Sequence, residues 1–289
     1  MYPELFKIGP FTVYSFGLML GIAFIIASFI LTKEFERRKL SSNFATEITL
    51  FAIIFGIIGS KLFSIFENWD EFLNDPAGVA FNPGGLTFYG GLILSILAIS
   101  IYVRSKRIPF LVIADLTAPS LALAYGIGRI GCHLAGDGDY GIPTNLPWGT
   151  DYSNGTVSPT NMFRDTEIAK HYPGGIVPAD TPLHPTPVYE FLLMLIIFFI
   201  LWKLRKKDWP DGKLFMVYLV LAGIERLSIE FIRLNPKILL GLTEAQLISI
   251  GMIIIGSIGI VYYNRKKEFT KFVPTPEQSG KKLKVKSQK

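Results

Sequence analysis

Apolar residues recur along the chain in seven runs, near 11–31, 45–66, 86–103, 111–133, 187–204, 213–233 and 245–263. Each comes close to the about 20 residues that a helix needs to cross a bilayer, so the pattern predicts seven transmembrane helices. The longest polar stretch, 133–186, is rich in Pro, Gly, Thr and Asn. It reads as an irregular head or gating arm of loops and short elements, without a core of its own. The division expected is therefore 1–132 for helices one to four, 133–186 for the arm, 187–263 for helices five to seven, and 264–289 for a basic tail. The expected fold class is an all-α integral membrane protein with a loop-rich periplasmic head.

Composition strengthens this reading. Of 289 residues, 50% are hydrophobic and 18% charged, with a mean hydropathy of +0.39, too apolar for one soluble domain of this length. The first run follows Tyr2-Pro-Glu-Leu-Phe-Lys with no basic leader, and no small-residue cleavage site precedes Lys33. It is expected to stay as a helix.

Basic residues set the expected orientation. Lys33, Arg37, Arg38 and Lys39 follow the first run; Arg104, Lys106 and Arg107 follow the third; Lys203, Arg205, Lys206, Lys207 and Lys213 follow the fifth; the tail from Arg265 adds nine more. By the positive-inside rule these segments face the cytoplasm. The N-terminus is then outside and the C-terminus inside, in a bacterial inner membrane. The net charge of +6 is accounted for by this topology and by attraction to anionic lipid headgroups, so no nucleic-acid partner is expected. The Lys-rich tail is expected to be disordered and held electrostatically to the inner leaflet. A single cysteine, Cys132, excludes an internal disulfide.

Polar residues inside apolar runs carry the candidate chemistry. Arg129 stands in Gly128–Gly141, reading GRIGCHLAGDGDYG, and brings His133, Asp137 and Asp139 with it. An arginine at membrane depth is expensive and needs an anionic partner or a route to the interface. The glycines of this stretch are expected to loosen the helix into a loop. Lys61 lies within FGIIGSKLFSIF, where Gly56 and Gly59 suggest close helix packing. It either snorkels or meets a lipid phosphate. Tyr89 lies between the glycine pairs of GGLTFYGGL, 84–92, and offers a phenol that can exchange a proton.

HPTPVYE, 184–190, re-enters the membrane with His184, Tyr189 and Glu190 expected as a polar cluster at the outer interface. Pro185 and Pro187 are expected to hold off helix until Val188. In ERLSIEFIR, 225–233, Arg226, Glu230 and Arg233 are spaced i, i+4 and i+7 and share one helix face. Two arginines against one glutamate leave that face positive, which suits a phosphate. Thr243 is a plausible helix cap, with Gln246 and Ser249 on one face of the last run.

All these residues fall in the outer half of the expected bundle. Arginines there would accept an anionic headgroup, while carboxylates, histidines or Tyr89 move protons. This favours a lipid-modifying enzyme over the alternative from another class, a transporter or flippase of an anionic lipid or solute, for which no inverted repeat is visible. No metal or cofactor motif stands out, and none is expected.

The ordered set GGLTFYGGL, GRIGC with GDYG, HPTPVYE and ERLSIEFIR resembles the prolipoprotein diacylglyceryl transferases of bacteria across roughly 9–263. The resemblance implies transfer of the diacylglyceryl group of phosphatidylglycerol to the lipobox cysteine of a prolipoprotein signal peptide, with release of glycerol phosphate. It places the family's catalytic arginines on Arg129 and Arg226 and the glutamate that follows on Glu230. Its histidine and YE pair fall on His184, Tyr189 and Glu190. Four positions depart from the family pattern. Tyr89 replaces a histidine, Cys132 an asparagine and Phe16 a tyrosine, while Asp137 or Asp139 replaces a glutamate. Together with the reading of the residues themselves, this gives a candidate site of Arg129, Arg226, Tyr89 and Glu230 for catalysis. Lys61, His133, Asp137, Asp139, His184, Tyr189, Glu190, Arg233 and Gln246 would serve substrate binding. The base that activates the thiol stays open among Tyr89, His133 and His184.

Overall fold

Long apolar runs become long helices, and the polar segments between them become short elements and turns. The structure, a computed structural model, describes residues 1–9, 11–82, 86–265 and 271–280. Its helices are α1 (Ser15–Arg37), α2 (Ser42–Glu67), α3 (Trp69–Asn74), α4 (Pro76–Phe81), α5 (Phe88–Ser105), α6 (Phe110–Ala135), α7 (Pro159–Met162), α8 (Thr186–Leu204), α9 (Lys213–Glu230) and α10 (Glu244–Arg265). Two small antiparallel hairpins accompany them, β1 (Glu4–Ile8) with β2 (Phe11–Tyr14), and β3 (Lys237–Leu239) with β4 (Leu242–Thr243). Among the described residues six helices, α1, α2, α5, α6, α8 and α10, are long and apolar enough to cross a membrane. This is a mostly helical, multi-pass integral membrane protein. The run at 213–233 forms α9, which carries Lys213, Glu225, Arg226 and Glu230 and is not among the six.

The chain forms two compact units, Met1–Ala27 with Thr117–Thr270, and Ser28–Leu116 with Lys271–Lys289. In the second unit α2 packs along α5 at a glycine contact. A Cβ on Gly59 would collide with the Gly90 carbonyl, and one on Gly90 with the Gly59 carbonyl, so neither position tolerates a side chain at this separation. The core of this unit gathers Leu31, Phe35, Leu40, Ile48, Val103 and Leu116, with Phe272 packed against it. The C-terminal tail is therefore not free where it is described. Gln278 Nε2 donates to the Lys106 carbonyl at 2.8 Å, and the Ser41 amide donates to the Gln278 carbonyl at 2.9 Å. The Pro83-Gly84-Gly85 turn and most of the basic tail lie outside the described residues.

In the first unit α9 packs on α8 and α10, and the segment after α6 is more organised than its composition suggested. Tyr140, Tyr152, Phe163, Ala169, Val177 and Leu183 form a buried cluster of their own. The ends of the arm are tied together. The Gly141 amide donates to the His184 carbonyl, the His184 amide to the Ile142 carbonyl, and the Ile142 amide to the Ile232 carbonyl, at 2.9, 3.1 and 2.9 Å. Aromatic burial together with backbone pairing thus gives the arm a small core, which polar composition alone concealed.

Candidate active site

The glycines of GRIGCHLAG were expected to unwind the helix, and they do not. α6 runs unbroken to Ala135, and the chain leaves it at Gly136, whose φ of +60° is left-handed. Glycine there ends the helix in a conformation that side-chain-bearing residues resist. Arg129 is consequently held on a rigid helical wall, with its guanidinium stacked 4.8 Å from the Tyr125 ring centre one turn earlier.

Past Gly136 the loop brings Asp139 back toward the bundle. Gly141 is pressed so close to the Ile232 carbonyl and to His184 that a Cβ would meet them at 2.5 and 2.9 Å. The Thr186 hydroxyl donates to the Asp139 carbonyl at 2.5 Å, which fixes Asp139 against the start of α8. That helix begins at Thr186, two residues earlier than expected, because Pro187 sits in the first turn, where a missing N–H leaves nothing unsatisfied. Glu190, one turn in, points its fully buried carboxylate at the same place.

Three arginines converge on these acids. Arg129 Nε lies 2.6 Å from Glu190 Oε2, and its Nη1 pairs with Asp139. Arg226 Nη1 lies 3.4 Å from Glu190 Oε1, and its Nη2 lies 3.1 Å from Glu230 Oε2 one turn on. Arg233, just beyond α9, reaches Glu190 Oε1 at 3.2 Å and pairs with Asp139 through Nη2. The Tyr125 hydroxyl accepts from Arg129 at 2.8 Å and donates to Glu190 Oε2 at 2.6 Å. Glu230 Oε1 accepts from Asn235 and Thr243, both at 2.7 Å. Three guanidiniums thus meet three carboxylates, which corrects the surplus positive charge expected from one helix face alone. The side chains of Arg129, Arg226 and Asp139 remain 18%, 21% and 28% exposed, so a ligand can reach the cluster, whereas Glu190 and Glu230 are buried.

Electrostatics separates the two aspartates. Burial pushes Asp137 up, and the neighbouring Asp139 charge adds to this. Burial also raises Asp139, but the Arg129 and Arg233 charges outweigh it and hold its carboxyl down at about 2. Cys132, Asp137 and Asp139 bring potential ligand atoms within 4.8 Å of one another. The carboxylate of Asp139 is already committed to the guanidiniums of Arg129 and Arg233.

A family model described as prolipoprotein diacylglyceryl transferase matches residues 3–262 of the chain. The chain belongs to that family. Relatives named phosphatidylglycerol–prolipoprotein diacylglyceryl transferase include one from Clostridium tetani, 32% identical over 89% of this chain and 95% of its own length. Another, from Nostoc sp., is 30% identical over 96% of this chain and 95% of its own length. A third, from Parasynechococcus marenigrum, is 28% identical over 92% of this chain and 95% of its own length.

The family motifs therefore bring Arg129, Asp139, Glu190, Arg226, Glu230 and Arg233 into one cluster. Other sequence candidates have partners of their own. His184 Nδ1 lies 3.3 Å from the Tyr189 hydroxyl, which accepts from Trp148 Nε1 at 2.7 Å. Tyr189 turns toward His184 and Trp148, while Glu190, the next residue of α8, turns toward Arg129. His133 Nδ1 lies 2.8 Å from the Tyr152 hydroxyl. The Gln246 Oε1 accepts the Thr243 amide at 3.0 Å while the Gln246 amide donates to Thr243 Oγ1 at 3.2 Å, the reciprocal cap of α10. Lys61 Nζ donates to the Asn82 carbonyl at 2.8 Å, and Tyr89 stacks edge-on with Phe88; both belong to the second unit. Tyr125 and Glu225 were missed. Tyr125 lies four residues before Arg129, a spacing that could have revealed it.

Proposed function

We propose that this chain transfers the diacylglyceryl group of phosphatidylglycerol to the lipobox cysteine thiol of a prolipoprotein signal peptide and releases glycerol phosphate. The observation that carries this reading is the cluster of Arg129, Arg226 and Arg233, the first two partly exposed, in a member of the prolipoprotein diacylglyceryl transferase family. Guanidiniums bind a phosphodiester through paired N–H donors. The lipid phosphate takes the place of Asp139 on Arg129 and Arg233, Asp139 being the most exposed acid of the network. Arg226 then stabilises charge on the departing phosphate oxygen, a contribution that grows as the C–O bond breaks. The thiolate sulfur attacks the glyceryl carbon, the S–C bond forms, and glycerol phosphate leaves with the electron pair of the C–O bond.

Glu190 and Glu230 hold the arginines in register, and Tyr125 orients Arg129 against Glu190. Asp137, His133, His184 and Tyr189 line the arm side, where the peptide and glycerol headgroup approach. Tyr89 is assigned a catalytic role by its position in GGLTFYGGL, and Lys61 a substrate-binding role by its place in the second apolar run. Gln246 acts through the cap that fixes Thr243 against Glu230. The reading takes α9 as a seventh span, the arm as periplasmic, the N-terminus as outside and the tail as cytoplasmic. It is supported by the basic residues of the loops that follow α1, α5 and α8.

The test is transfer of labelled diacylglyceryl from phosphatidylglycerol to a lipobox peptide by the purified full chain in detergent. Thioether-linked label is the expected product. Bound lipid without product would turn the reading toward transport.

A further inference from the structure

The proposed transfer needs a group that takes the thiol proton, and the arginine cluster is poorly supplied with one. A carboxylate engaged by guanidiniums has its lone pairs committed to those donors. Asp139 is paired with Arg129 and Arg233, and Glu190 with Arg129, Arg226 and Arg233. Glu230 is held by Arg226, Asn235 and Thr243. His133 and His184 are engaged with Tyr152 and Tyr189 outside the cluster.

Glu225 is different. It is 4% exposed on α9, next to Arg226, and neither carboxyl oxygen has a hydrogen-bond partner among the described residues. Such an orphan is rare, because a buried polar group left unsatisfied carries a desolvation penalty of about 1–3 kcal/mol. It lies within electrostatic range of Glu190, Arg226, Arg129 and Arg233. Tyr125 of α6 and Tyr218 of α9 feel its charge in turn. The acid therefore borders the cluster that would hold the phosphate, with both oxygens uncommitted.

We propose that Glu225 is the proton acceptor for the substrate thiol. This rests on the transferase reading above. The thiol proton moves to a Glu225 oxygen, the sulfur pair forms the S–C bond, and the C–O pair departs with the phosphate. The proton then passes from Glu225 to the released glycerol phosphate, which restores the carboxylate. The unpaired oxygens are the consequence of a site built to meet a partner that arrives only with substrate. A purely structural acid at this position would be expected to have hydrogen bonds of its own.

The test compares wild type with Glu225→Gln in the full purified chain, using phosphatidylglycerol and two lipobox peptides, one with cysteine and one with selenocysteine. A selenol ionises without help at neutral pH, so it does not need the base. Loss of a general base slows such steps by about 10²-fold or more. We expect the cysteine peptide to react about 10²-fold more slowly with Glu225→Gln, and the selenocysteine-to-cysteine rate ratio to rise at least about tenfold. The residual cysteine rate should climb about tenfold per pH unit below the free thiol pKa of about 8.5, as attack comes to depend on thiolate formed in solution. The ratio is taken within one preparation, so loss of folded protein cancels from it. Both peptides slowed alike, or neither slowed, would overturn the assignment. Failure of wild type to modify the cysteine peptide would instead overturn the transferase reading itself.

Discussion

Glu190 on α8 and Arg129 on α6 meet at 2.6 Å, with the glutamate carboxylate wholly buried. The same carboxylate also serves Arg226 and Arg233, so one acid holds together three arginines from two separate stretches of the chain. Removing one partner from a buried ion-pair network leaves uncompensated charge and costs about 3–5 kcal/mol. Glu190→Ala should therefore lower the thermal unfolding midpoint of the detergent-solubilised protein sharply, and Glu190→Gln less so. Equal midpoints for wild type and Glu190→Ala would show that the arginines do not depend on this acid.

Asp139 makes stability depend on pH in one direction. Its carboxyl is held down at about 2 in the folded protein, because the Arg129 and Arg233 charges outweigh the effect of burial; an unfolded aspartate titrates near about 3.9. The ion pairs thus contribute fully above about pH 4 and are lost as pH falls toward about 2. Denaturation midpoints followed across that window should fall for wild type. Asp139→Asn should start lower at neutral pH and lack this step.

Thr243 links the cap of α10 to the site. Its hydroxyl donates to Glu230 and its amide is satisfied by Gln246. Thr243→Ala should destabilise by about 1–2 kcal/mol through loss of the cap, read as a lower melting midpoint, and should reduce transfer by loosening Glu230. Thr243→Ser, which keeps the hydroxyl, should restore both.

Much of this site could be read along the chain, because helical spacing places residues without help from tertiary contacts. Arg226 and Glu230 are four apart and pair as i, i+4 neighbours. Six of the seven expected transmembrane segments coincide with helices long and apolar enough to cross a membrane, because apolar length marks such segments. What could not be read were meetings across long separations. Asp139 and Arg233 lie 94 residues apart in sequence, and only the loop tied at Gly141 brings them together. The surplus positive charge expected on α9 vanished for this reason. Glu225 escaped notice because its neighbour Arg226 suggests a partner, whereas adjacent residues on a helix face different ways. The arm's core was hidden because Tyr140, Tyr152 and Phe163 are scattered through a polar stretch.

The central claim is that the arginine cluster binds and activates the lipid phosphate, and Arg226→Ala tests it most directly. The measurement is labelled diacylglyceryl transfer from phosphatidylglycerol to a lipobox peptide, with membrane insertion and melting of the variant checked alongside. Loss of one preorganised charge-stabilising donor slows catalysis by about 10²–10³-fold. The account predicts at least that loss in a variant that still inserts and melts cooperatively. Turnover by Arg226→Ala at the wild-type rate would contradict it.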